Sequence, residues 1–166
     1  MIIRPFRSED AEGIVDVHRS SVRSLEGIVD VHRSSVRSLE GIYTAGEIAA
    51  WTSGNIEGFR TSLTHSICFV AEVNEKIIGF SDVTREGKLR RLYVDPAYSG
   101  RGVGSALLRN LEDEALKQGI YQITLSSSIP AVPFYVKRGY IQRENTFETI
   151  NGVCIRAVGM SKNLIH

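Results

Sequence analysis

The sequence predicts an α/β (α+β) fold: a single mixed central sheet flanked by helices, with an extended first helix. Three observations lead there. Strand and helix periods succeed one another in the order β-α-α-α-β-β-β-α-β-α-β-β, which builds one sheet of mixed direction with helices packed on it. A glycine-rich turn joins one strand to a long amphipathic helix. Asn151-Gly152 lies between two long β-patterned runs and marks a closing hairpin. A chain of 166 residues fits a single domain, 1–166, able to bury a core without disulfides or metal.

Each element has a local cause. Ile2 to Phe6 reads as a first strand, and Ser8 is placed to cap the helix that follows. Thr44 with Glu47 forms a capping box for a short helix ending near Trp51, and Asn55 caps another through about Thr64. Ile67–Val73 and Lys76–Val83 are strands joined by a tight turn at Asn74-Glu75. Lys88–Val94 is a strand stopped by Asp95-Pro96. Residues 102–118 carry helical spacing at Val103, Leu107, Leu108, Leu111 and Ala115, with Gly119 at the end. Tyr121–Leu125 is a strand, Pro130 opens a short helix that Gly139 ends, and Tyr140–Ile150 with Val153–Met160 form the hairpin.

The first helix contains a tandem duplication. Residues 12–25 read EGIVDVHRSSVRSL, and residues 26–39 repeat them without a change. Solenoid units are longer and need at least three copies, so this is a local duplication within one element. Fourteen residues fall only about 40° short of four helical turns, so the apolar stripe continues nearly in register. One helix is expected from about Glu9 to about Ser38, with a helix broken near Gly27 as the alternative. The added length, about 21 Å, exceeds what the sheet can cover. Its apolar stripe is therefore expected to meet a second subunit, giving a homodimer.

Composition narrows the function. A formal net charge of +1 gives no broad field for nucleic acid or an anionic membrane. No secretory leader and no run of membrane-spanning length is visible, so a cytoplasmic location is expected. Cys68 and Cys154 have no metal-ligand spacing, and no metal site is expected. The chemistry concentrates in two segments. In Val94-Asp95-Pro96-Ala97-Tyr98-Ser99-Gly100-Arg101-Gly102-Val103-Gly104-Ser105, alternating glycines precede a helix. Their amides, with the partial positive charge of the helix terminus, make a pyrophosphate site. It is neither a Walker loop nor a dinucleotide fingerprint. The second segment, Ser126 to Tyr140, follows the next strand.

VDPAYSGRGVGSALL resembles the acetyl-CoA motif of the GNAT (GCN5-related N-acetyltransferase) superfamily, and AVPFYVKRGY resembles its later helix with a tyrosine. YTAGEIAAW and the closing strands are also similar to that superfamily, nearest a small bacterial YafP-like branch. The resemblance covers nearly the whole chain apart from one copy of the repeat. It departs from the family pattern at Ser99, where Gln or Arg is usual, and at Pro130, where Asn is frequent.

The resemblance implies a GNAT acyl-CoA N-acyltransferase fold, acetyl-CoA as co-substrate, and transfer to a small-molecule or peptide amine by direct attack in a ternary complex. It implies that Leu92 and Val94 pair with the pantetheine arm, and that the Val94 amide polarises the thioester carbonyl. Ser99, Gly100, Arg101, Gly102, Val103, Gly104 and Ser105 would hold the pyrophosphate, with Ser127, Phe134, Tyr135 and Lys137 completing the cofactor site. Tyr135 would protonate the leaving thiolate. The general base stays open: strand 88–94 carries no acid, and Glu72, Asp82, Glu86, His65 or water are the candidates. Arg90 and Arg91 read as a solvated strand face or as a lure for an acidic acceptor. Tyr43, Trp51 and Phe59 read as core or as acceptor-pocket walls, and His18 and His32 as residues bordering the helix face. The alternative function is a non-catalytic acetyl-CoA-binding sensor or interaction module.

Overall fold

The computed structural model describes residues 1–33, 43–51 and 55–165, with side chains placed in all of these except 24–33, 48 and 51. The strands are β1 (Ile2–Pro5), β2 (Ile67–Val73), β3 (Lys76–Val83), β4 (Lys88–Val94), β5 (Gln122–Ser127), β6 (Ile141–Ile150) and β7 (Val153–Asn163). The helices are α1 (Ala11–Arg33), α2 (Ala45–Trp51), α3 (Ile56–Thr64), α4 (Val103–Lys117) and α5 (Val132–Val136). Element order follows the sequence reading, with ends shifted by a few residues.

The strands form one seven-stranded sheet in the order β1-β2-β3-β4-β5-β7-β6. Neighbours are antiparallel except β4 and β5, which run parallel. That parallel pair needs a crossover, and α4 supplies it. Strand β3 is buried along nearly its whole length because helices cover both faces. On one face, α1 and α3 bring Ile14, Val15, Val17, Phe59 and Leu63 against Val70, Ile77 and Phe80. On the other, Val103 and Leu107 of α4 meet Ala71 and Ile78, while Leu108, Leu111 and Ala115 meet Val83, Leu89, Ile123 and Leu125.

Local chemistry explains the element ends. Asn74 and Glu75 both take positive φ, at 48° and 64°, as do Asn151 and Gly152 in the second hairpin, which matches the twist of antiparallel strands. Thr44 and Glu47 exchange the two bonds of a capping box, at 2.7 and 3.1 Å. The Asn55 side chain accepts the Gly58 amide at 2.7 Å. At the first helix the expected cap moves. A 3-10 turn over Ser8–Asp10 leads into α1, and the Asp10 carboxylate rather than Ser8 accepts the Arg7 amide, at 2.7 Å. Asp10 also pairs with Arg4, so burial and ion pairing select it over a hydroxyl.

Helix α1 runs through the junction of the two repeats and past Gly27 to Arg33; the expected continuation to Ser38 lies outside the described residues. Gly13 is a contact point of α1. A Cβ there would sit 2.9 Å from Cγ1 of Ile77, so only glycine lets α1 lie this close to β3. Val22, Tyr43 and Ile155 then pack together. The chain thus leaves this cluster at Val22 and returns to it at Tyr43.

Deleting residues 26–39 removes none of these buried positions. Counted as unstructured chain, the longer excursion between the two anchors costs only about 1 kcal/mol of closure entropy. The deletion variant is expected to unfold cooperatively, with stability within about 2 kcal/mol of the parent, as measured by urea titration followed by circular dichroism. Failure to fold would mean that the second copy has become part of the core.

Candidate functional site

Two features meet where the crossover begins. The first is the head of α4. Asp95 accepts the Ala97 amide at 2.9 Å, and a 3-10 turn over Pro96–Tyr98 carries the chain into the glycine segment. Gly100 and Gly102 have φ of 73° and 81° and open space around them. The first helical bond is from the Ala106 amide to the Gly102 carbonyl. None of the amides from Gly100 to Ser105 donates to an acceptor among the described residues. A run of free amides at the start of a fifteen-residue helix is an anion-binding surface.

The second feature is the parting of β4 from β5. They pair only at Lys88–Thr124 and Leu89–Leu125. Beyond these, β5 stays with β7 through Ser126–Gly159 and Ser127–Val158, while β4 stays with β3 as far as Val94–Gly79. Amides alternate sides along a strand. The Asp95 amide donates to Ile78 of β3, at 2.7 Å, so those of Val94 and Leu92 point to the side that β5 has left.

Behind this opening, α5 packs on α4. A Cβ on Gly104 would come within 3.2 Å of the Phe134 ring, and the Arg138 guanidinium stacks 3.7 Å over that ring. Arg138 also donates to Ser105 Oγ and, at 2.7 Å, to the Phe134 carbonyl. Tyr135 is buried at 6% exposure, edge-on to Phe134 and Tyr140. Its hydroxyl has no hydrogen-bond partner among the described residues. Burial raises its pKa well above that of an ordinary tyrosine, and Tyr93 adds to the shift. Ser127 is buried and donates to the Ser128 carbonyl at 2.7 Å, whereas Lys137 is exposed.

On the α1–α3 face the opening widens into a cavity of about 590 Å³. Its walls include His18, Tyr43, Phe59, Tyr93, Ser126, Glu148 and Arg156, with Lys88, Arg90 and Arg91 from β4. Tyr43 fixes one wall: its hydroxyl accepts the Ile129 amide at 3.0 Å and donates to the Arg156 carbonyl at 3.2 Å. His18 is wedged edge-on to Tyr93, 4.7 Å between ring centroids, and beside Phe59 at 5.1 Å. Burial, then the charges of Arg91 and Arg19, lower its pKa to about 4.

Comparison with known proteins places this arrangement. Residues 40–164 match the acetyltransferase (GNAT) domain family. The chain belongs to that family. Over 100 residues it is 34% identical to the N-acetyltransferase YafP of Escherichia coli (strain K12), a match that covers 59% of this chain and 61% of YafP. The chain thus spans about 61% of the length of that relative. Its fold superposes on the GCN5-related N-acetyltransferase from Rhodopseudomonas palustris with a TM-score of 0.85 at 26% identity, covering 98% of this chain and 94% of that one. PaiA N-acetyltransferase from Thermoplasma acidophilum, solved in complex with coenzyme A, has the same fold, with a TM-score of 0.74 at 22% identity over 98% of each chain.

Within this GNAT domain, Leu92 and Val94 lie where β4 parts from β5, Gly100 to Ser105 lead into and open α4, and Phe134 and Tyr135 lie on α5, with the Phe134 ring against Gly104. Ser99 spends its amide on Pro96, at 3.2 Å. The candidate bases fare differently. Glu72 is tied to Arg4 at 2.8 Å beside the edge strand β1. Glu86 and His65 are exposed, in a turn and at the end of α3. Asp82 is fully buried and bound by both Arg90 and Arg91, so its charge is already spoken for. Arg90 is exposed, in keeping with a solvated strand face, whereas Arg91 is half-buried beneath Phe59 and Ser62, and both line the cavity. His18, expected to border the helix face, is buried against Phe59 and Tyr93. Tyr43 and Phe59 serve as both core and cavity wall, while the side chains of Trp51 and His32 lie outside the described residues. Tyr93 and Arg156 were missed, because only the fold brings them to the cavity.

A buried histidine with a lowered pKa binds its proton in the unfolded chain first. Unfolding therefore takes up a proton between the ordinary value of 6.5 and about 4, and stability falls with falling pH across that window. The full shift corresponds to about 3 kcal/mol. Urea unfolding at pH 7 and pH 4.5 is expected to show this loss in the parent and much less of it in His18→Gln. An equal loss in both would place the acid sensitivity elsewhere.

Proposed function

We propose that the protein is an N-acetyltransferase that transfers the acetyl group of acetyl-CoA to a primary amine by direct attack in a ternary complex. The observation that carries this reading is the parting of β4 from β5 beside the free amides at the head of α4. An extended pantetheine arm fits as a substitute strand along Leu92 and Val94, and the pyrophosphate fits on the amides from Gly100 to Ser105. Ser99 contributes little beyond its place in the turn. Ser127, Phe134 and Lys137 are assigned to the cofactor side, where Arg138 ties α5 to Ser105.

The chemistry follows from the same groups. The amine nitrogen attacks the thioester carbonyl carbon as the Val94 amide holds the developing oxyanion. The C–S bond breaks, and Tyr135 gives its proton to the departing thiolate. The phenol stays protonated across neutral pH and its hydroxyl is unpaired among the described residues, so a proton is available there, although burial makes it a weaker acid than an ordinary tyrosine. The amine enters neutral, its nitrogen gives up one proton to water as the amide bond forms, and Tyr135 regains a proton from water afterwards; Asp82, held by two arginines, does not serve as the base. Placing the acceptor in the cavity on the α1–α3 face puts it on the opposite side of β4 from α5.

Gly102→Asp is expected to abolish coenzyme A binding in calorimetric titration, because a carboxylate beside the free amides repels the pyrophosphate. Undiminished affinity in the folded variant would remove the head of α4 from the cofactor site. Tyr135→Phe is expected to lower kcat by roughly 10²–10⁴-fold with little change in coenzyme A affinity. Unchanged kcat, under conditions where chemistry limits turnover, would make Tyr135 a packing residue. A protein that binds coenzyme A yet releases no thiol with any amine would instead be the sensor.

A further inference from the structure

We propose that the acceptor amine carries an anionic group, a carboxylate or a phosphate, which binds the paired guanidinium groups of Arg90 and Arg91 in the cavity. The proposal rests on the acetyl-transfer reading and gives it a substrate class.

The pairing comes from a break in the strand register. Asp82 lies opposite Arg91 while the next residue of β3, Val83, lies opposite Leu89. Arg90 is therefore the extra residue of a β-bulge, and bulges re-aim side chains. Two consecutive residues, which a regular strand would send to opposite faces, both reach the same carboxylate. Arg91 binds Asp82 through two nitrogens at 2.7 and 2.9 Å, and Arg90 binds it at 3.1 and 3.2 Å.

Charge counting then separates a structural from a ligand-binding role. One arginine neutralises a buried carboxylate. Here two share Asp82, which is 0% exposed, while the arginine side chains are 34% and 16% exposed. One positive charge is left over at a partly desolvated cavity wall, a state that calls for an anion. The nearby Lys88 and Glu148 offset one another at 3.7 Å, so Glu148 does not supply it. Nη1 of Arg90 and of Arg91 has no acceptor among the described residues.

The guanidinium groups are also held in place. Ser62 Oγ accepts from Arg91 at 2.7 Å, Ser66 Oγ from Arg90 at 2.6 Å, and the Phe59 ring lies 5.1 Å from the Arg91 guanidinium. Fixed forks of this kind bind carboxylate or phosphate with little further loss of side-chain freedom. They open into the cavity on the α1–α3 face, whereas α4 packs on the other face of the sheet, so the anion they take is distinct from the phosphates of coenzyme A.

The test is steady-state thiol release over primary amines arranged in pairs. Each carboxylate or phosphate member stands beside its uncharged counterpart: phenylalanine with phenylalanine amide, glucosamine 6-phosphate with glucosamine, and further pairs of each kind. Among acetylated pairs, the anionic member is expected to exceed its partner by tenfold or more in kcat/KM, and the arm in which this occurs tells carboxylate from phosphate. Arg90→Gln leaves Asp82 neutralised by Arg91 and is expected to bring the ratio toward one, as is raised salt; Arg90→Lys retains part of it. Equal or better turnover of the uncharged members would overturn the proposal while leaving acetyl transfer intact, and so would an unchanged ratio in a folded Arg90→Gln protein. Failure to acetylate any amine despite coenzyme A binding would overturn both.

Discussion

The structure depends on how little β4 and β5 touch. Two residue pairs hold the parallel contact, and from there the strands diverge, one following β3 and the other β7. Unpaired backbone groups along a half-buried strand are unfavourable unless something satisfies them. The surrounding contacts hold the strands apart all the same. Tyr43 bridges the Ile129 amide and the Arg156 carbonyl. Phe134 seats on Gly104, and Arg138 links α5 to Ser105. The head of α4 and the cavity under α1 and α3 then fall on opposite faces of the sheet, with β4 between them.

Electrostatics on the cavity face form a second connected system. Asp82 orients Arg90 and Arg91, and the charge of Arg91 in turn helps keep His18 neutral. A neutral imidazole at the cavity wall presents a hydrogen-bond acceptor beside the guanidinium groups. Changes at Asp82 would therefore be felt at three side chains, not one, and their effects should not add independently.

Most of the scaffold was legible in the sequence because local rules decide it. The turns at Asn74-Glu75 and Asn151-Gly152, the Thr44–Glu47 box and the Asn55 cap each rest on contacts within a few residues. The glycine segment was legible for the same reason: its free amides follow from the strand-turn-helix order. The acceptor side was not. Alternation along β4 sends Arg90 and Arg91 to opposite faces, and only the register shift against β3 reunites them. Helical periodicity grades His18 by its own polarity, while its environment is set by Phe59 and Tyr93, 41 and 75 positions away. Asp82 read as a spare acid because nothing local reveals that two cations close over it.

The duplication has an evolutionary consequence. The two copies are identical in sequence, yet the first already fills the sites that its residues suit. Ile14, Val15, Val17 and Val22 are in the core, Gly13 lies against Ile77, and His18 is in the cavity wall. Substitutions at these positions of residues 12–25 therefore meet purifying selection from packing. Relatives that share the duplication should therefore keep Gly13, Ile14, Val15, Val17, His18 and Val22 of the first copy, whatever else the repeat accumulates.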